Sequence, residues 1–215
     1  MNSKMTKPVL AEFLGTFTLV FVGACAVVMA GQFGVMLPAF AHGFAVLGGA
    51  FMFGAISGAH FNPAVTFAML ITRNIDLMKA IFYWLAQFAG AILAGLLVGY
   101  LTGGFGETLG SIDPNTDFVK VVIFEAIMTF FLVSAIFQTA VHGRAGNLAP
   151  IVIGLTLTMA IMAGGAFTGA GLNPARTFGS ALAAGNLSYL APYFVGPALG
   201  AAVAALLHTY FLGDK

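Results

Sequence analysis

Two stretches, Asn62-Pro63-Ala64-Val65-Thr66-Phe67-Ala68-Met69-Leu70-Ile71-Thr72 and Asn173-Pro174-Ala175-Arg176-Thr177-Phe178-Gly179-Ser180-Ala181-Leu182-Ala183-Ala184, decide how this chain folds. Both are mainly apolar, and both are too short to cross a bilayer, which takes about 20 helical residues. Each opens with Asn-Pro, a suitable helix start: asparagine caps free N–H groups, and proline at the first helical position forfeits no hydrogen bond. The two are therefore expected to be re-entrant half-helices, since short apolar segments at membrane depth must be enclosed by protein.

Everything around them calls for lipid. Of 215 residues, 60% are hydrophobic and 7% charged, against about a quarter charged in a soluble domain. Six longer apolar runs are expected to span the membrane, at 8–30, 35–57, 78–102, 118–141, 149–167 and 189–212. Polar punctuation separates them at Gly31-Gln32, at Thr72-Arg73-Asn74, from Gly103 to Asp117, and at His142-Gly143-Arg144. The expected fold class is an all-α membrane protein of six transmembrane helices plus two re-entrant half-helices, one domain over 1–215. Basic residues predict its orientation. Lys4, Lys7, Arg73, Lys79, Arg144 and Lys215 fall on one side and Lys120 alone on the other, so both termini are expected to be cytoplasmic. A cell membrane is the expected location.

The chain also repeats itself. Ala11-Glu12-Phe13-Leu14-Gly15-Thr16-Phe17 is echoed by Phe124-Glu125-Ala126-Ile127-Met128-Thr129-Phe130, and the two Glu-to-Asn-Pro spacings agree within two residues. Each half, approximately 8–102 and 118–212, holds three spans and one half-helix. Three is odd, so the halves must insert upside down relative to each other, which brings the broken helices together at the midplane. There Asn62-Pro63-Ala64 and Asn173-Pro174-Ala175 would meet N-terminus to N-terminus, and the free N–H groups and helix dipoles would make that point positive. The asparagine amides would donate to a single-file water and interrupt proton relay, while the field repels cations. A role for the two asparagines as caps and nothing else does not account for their duplication.

On Ser57-Gly58-Ala59-His60-Phe61-Asn62-Pro63-Ala64-Val65-Thr66, on Leu172-Asn173-Pro174-Ala175-Arg176 and on the duplicated glutamate, the chain resembles the aquaporin and glycerol-facilitator family of major intrinsic proteins. The resemblance covers nearly the whole length. It implies a homotetramer of independent pores passing water and small neutral solutes. It also places Arg176 in a narrow selectivity filter. Counting back from the two motifs puts His42, Ile161 and Ala170 at the other filter positions. This set departs from the usual bacterial water-specific pattern and is similar to that of several plant tonoplast members, some of which pass ammonia. Thr177, Ala181 and Tyr193-Phe194 resemble the water branch more than the glycerol facilitators.

Other readings stand beside these. Glu12 and Glu125 are expected to accept hydrogen bonds from unwound backbone ahead of the half-helices, with a proton relay in a coupled transporter as the alternative. His60 is expected in the cytoplasmic vestibule, or as a loop brace. His42 competes with a helix histidine bonded to backbone. Gly54/Gly58, Gly165/Gly169 and Gly196/Gly200 have the spacing of close helix packing. No histidine pair has metal-ligand spacing and no nucleophile adjoins a base, so no metal, cofactor or enzymatic chemistry is expected. With a net charge of +1 there is no reason to expect a nucleic-acid partner.

Overall fold

The computed structural model describes residues 3–104 and 117–213. Residues 105–116, which make up most of the expected polar connection, lie outside the described residues, as does Lys215.

Among the described residues, six helices are long and apolar enough to cross a membrane. They are α1 (Ser3–Val28), α3 (Met36–Ser57), α5 (Leu77–Thr102), α6 (Phe118–Ile136, continued by a π-helical turn at Phe137–Val141), α7 (Ala149–Gly164, led into by a 3-10 turn at Gly146–Leu148) and α9 (Ala191–Tyr210). The two half-helices are α4 (Pro63–Ile71) and α8 (Pro174–Ala183), one residue inside the expected bounds at each end. Outward faces carry large apolar side chains, Phe44, Leu85, Leu155 and Val203 among them, each more than half or close to half exposed. Such surface would be unstable in water and is suited to lipid.

Three local features differ from expectation, one being that the first span runs Ser3–Val28 rather than 8–30. One turn of helix, α2 (Ala30–Phe33), sits in the first connection and is too short to leave a periodic signal. The fifth span ends at Gly164 rather than 167. Glycine is required where it ends: a Cβ on Gly164 would meet the Phe124 ring at 2.1 Å, and one on Gly165 would meet a Val35 methyl at 2.3 Å.

Packing follows the repeat. In the first half α1 lies against α3 and α5; in the second, α6 lies against α7 and α9; α3 and α7 join the halves. The half-helices cross over, α4 packing mainly on α9 and α8 mainly on α5. Glycines permit these approaches. A Cβ at Gly200 would sit 2.0 Å from the Ala126 carbonyl oxygen, and one at Gly95 would lie 2.5 Å from that of Gly179. The Gly196/Gly200 pair is thus a packing seam as expected. The other two pairs are not. Gly54 has nothing within 4 Å of its Cβ position and lines a cavity, while Gly169 adopts a left-handed φ of 74° in the second re-entrant turn.

A candidate pore between two half-helices

Asn62 and Asn173 both have extended backbone, and each uses its side chain twice. The Asn62 Oδ1 accepts from the Ala64 N–H at 2.8 Å, and the Asn173 Oδ1 accepts from the N–H groups of Ala175 and Arg176. These are N-caps, and Pro63 and Pro174 begin the helices. The amide nitrogens reach across the molecule. Asn62 Nδ2 donates to the Leu172 carbonyl at 2.9 Å, and Asn173 Nδ2 donates to the Phe61 carbonyl at 2.8 Å. The two half-helices therefore meet tip to tip in a reciprocal clasp. An amide nitrogen carries two hydrogens, so one remains on each asparagine after the clasp is made.

The turns ahead of the tips are held by the glutamates. Glu12, fully buried on α1, accepts from Ser57 Oγ at 2.6 Å, from the His60 and Phe61 N–H groups at 3.0 and 2.7 Å, and from Gln87 Nε2 at 2.8 Å. Glu125 on α6 repeats the pattern: Thr168 Oγ1 at 2.7 Å, Gly171 N–H at 2.9 Å and Leu172 N–H at 2.7 Å. These bonds secure backbone that side chains resist, since Ala59, Phe61, Ala170 and Leu172 all have φ between 44° and 51°. Tyr83 and Tyr193 close the turns by donating to the carbonyls of Ser57 and Thr168. The sequence did not single out Thr168, Tyr83 or Gln87, nor the bracing roles of Ser57 and Tyr193, although Ser57 and Thr168 hold matching places five residues before the two asparagines. Neither Glu12 nor Glu125 lines either of the two cavities described next.

A cavity of about 740 Å³ runs from the connection at Gly143 and Asn147 past His60 to both asparagines, and on to His42, Ile161 and Arg176. A second, of about 270 Å³, begins beside Val27 and Val35 on the opposite side and also ends at Ile161 and Arg176. The two spaces thus share a wall at those residues. There His42 lies between backbone and arginine: Nδ1 is 2.7 Å from the Pro38 carbonyl, and Nε2 accepts from Arg176 Nε–H at 3.3 Å. A carbonyl only accepts, so the proton of this imidazole is on Nδ1. Gly23 on α1 makes room for the ring, which would stand 2.2 Å from any Cβ there. Arg176 is 5% exposed, and its Nη1 has no protein partner among the described residues. A buried donor of this kind calls for a hydrogen-bond partner.

Of the four residues expected at the filter, His42, Ile161 and Arg176 are brought together, and Ala170 borders neither cavity. Its backbone turns at φ 44° and its N–H donates to Thr168 Oγ1. Nearby, outside the spans, Tyr189 carries a buried hydroxyl without a partner among the described residues. Burial pushes it above the ordinary phenol range against the opposing pull of Arg176.

Six spanning helices enclosing a lumen, with two half-helices clasped at its middle, define a polytopic helical membrane pore. The family model described as major intrinsic protein matches residues 1–208. "Aquaporin TIP1-2" of Musa acuminata is 39% identical over 221 aligned positions, covering 97% of this chain and 88% of that protein. "Aquaporin TIP2-3" of Arabidopsis thaliana is 37% identical with the same coverage. The crystal structure of "the aquaglyceroporin from Plasmodium falciparum" superposes with a TM-score of 0.86 at 25% identity over 97% of both chains. This chain belongs to the major intrinsic protein family.

Proposed function

We propose that the protein is a passive transmembrane channel for water that excludes ions and protons. The observation that carries this is the reciprocal clasp: two helix N-termini held together with one amide hydrogen left on each of Asn62 and Asn173. A water oxygen passing this point accepts from both, so its own hydrogens point away and a continuous donor chain is interrupted, while the two dipole ends repel cations. The relatives named as aquaporins support the same reading.

His42, Ile161 and Arg176 act as the filter in this proposal, with Arg176 donating to each permeant and Ile161 supplying an apolar wall, while Ala170 belongs to the re-entrant turn and not to the lumen wall. An apolar wall admits ammonia as a second permeant. The structural neighbour's title names an aquaglyceroporin, but Thr177, Ala181 and Tyr193-Phe194 keep glycerol transport the weaker alternative. A proton-coupled transporter is weaker still, because the carboxyl oxygens of Glu12 and Glu125 are engaged by donors away from the lumen. The unit is one channel domain of two inverted halves, assembling as a homotetramer with both termini cytoplasmic. The TIP-type names of the relatives give no support to a cell-membrane placement, and integral, multi-pass insertion is what remains.

Osmotic shrinkage of reconstituted vesicles tests the reading. Water flux well above that of empty liposomes, with a low activation energy, is expected, together with slow glycerol uptake. Flux equal to that of empty liposomes refutes it. Rapid glycerol entry would favour the glycerol alternative.

A further inference from the structure

We propose that Gln87 and Thr66 lock His60 in the tautomer with its proton on Nε2, so that neither pore histidine offers a free lone pair to the lumen. This extends the channel reading above. Thr66 on α4 is fully buried, and its Oγ1 has two neighbours, Gln87 Nε2 at 2.9 Å and His60 Nδ1 at 3.0 Å. The Gln87 amide is oriented by Glu12, whose Oε2 lies 2.8 Å from Nε2; the flipped amide would set oxygen against oxygen. Gln87 therefore donates to both Glu12 and Thr66. With that lone pair used, the Thr66 hydroxyl hydrogen has one acceptor among the described residues, His60 Nδ1. Were Nδ1 protonated instead, Oγ1 would accept on both lone pairs and the buried hydroxyl hydrogen would have nowhere to donate.

The Tyr83 ring, edge-on at 5.2 Å, steadies the imidazole. His60 Nε2 then carries the proton, has no protein partner among the described residues, and belongs to a side chain lining the larger cavity. His42 is set the other way round, with its proton on Nδ1 and its Nε2 lone pair taken by Arg176. Both settings have one consequence. Ammonium and hydronium can only donate, and at each histidine they find no acceptor, whereas water can accept from the His60 N–H. The second half holds no such relay: the hydroxyl of Thr177, which follows its Asn-Pro-Ala-Arg as Thr66 follows Asn-Pro-Ala-Val, has no partner among the described residues.

Solid-state NMR of ¹⁵N-histidine protein in bilayers at mildly alkaline pH tests the tautomers directly. The expected spectrum has an unprotonated Nδ1 at His60 and an unprotonated Nε2 at His42, assigned by loss of signals in His60→Gln. A protonated Nδ1 at His60 overturns the proposal whether or not water flux is found, so its failure is separable from that of the channel reading. Thr66→Val should mix the tautomers and raise methylammonium conductance relative to water flux about tenfold, the scale of one charge-assisted hydrogen bond. Thr66→Ser should restore both. An unchanged tautomer and ratio in Thr66→Val overturns the lock.

Discussion

Replacing Glu125 by glutamine changes one atom and reverses the polarity of half a binding site. The carboxylate receives Thr168 Oγ1–H and the Gly171 N–H on Oε1, and the Leu172 N–H on Oε2. Glutamine keeps an oxygen for the first pair but sets an NH₂ against the Leu172 N–H. One hydrogen bond to a charged group, about 1.5–3 kcal/mol, is lost, and a buried donor is left unmet at about 1–3 kcal/mol. What those bonds secure is a turn with Ala170 and Leu172 both left-handed, each strained by about 1–2 kcal/mol. Loss and strain are therefore comparable, and the turn should relax. The Leu172 carbonyl then withdraws from Asn62 Nδ2 and the clasp opens. Every ~1.4 kcal/mol shifts the intact fraction tenfold, so stopped-flow light scattering on proteoliposomes should show water flux reduced about tenfold or more, with a lower melting temperature in detergent. Glu12→Gln should be milder. Gln87 beside it carries a buried, unpartnered Oε1 that can turn to accept from the new amide, recovering one bond of about 1 kcal/mol. Wild-type flux and stability in Glu125→Gln would refute the reasoning, as would Glu12→Gln proving the more damaging of the two.

Gly200→Val should abolish folded protein, because even its Cβ meets the Ala126 carbonyl at 2.0 Å, whereas Gly54→Ala faces open space and should stabilise α3 by up to about 1 kcal/mol; thermal melts compare them. His42→Ala removes the acceptor for Arg176 Nε–H and a ring from the wall of the larger cavity. It should raise urea permeability relative to water in solute-gradient flux measurements, and an unaltered ratio would remove His42 from the filter. Mercurials should leave water flux nearly unchanged, since Cys25 is the one cysteine of the chain and lines neither cavity; strong block would put that thiol in the pore.

The six spans and both half-helices were legible in the sequence because membrane insertion depends on the length and polarity of contiguous segments. Asn-Pro starts a helix by local chemistry alone, and so α4 and α8 could be bounded to within a residue. The duplication of Glu12 and Glu125 likewise announced equivalent tasks. Tertiary structure decided which groups those residues serve. No local rule couples Asn62 Nδ2 to the Leu172 carbonyl, Gly23 to the ring of His42, or Gln87 to Thr66 and His60. Spacing misled at Gly54/Gly58 because a small residue permits a close approach without requiring one, and what faces Gly54 is the lumen. A bilayer selects its helices one segment at a time, but the hydrogen-bond partners of a buried polar atom exist only after the two halves have closed on each other.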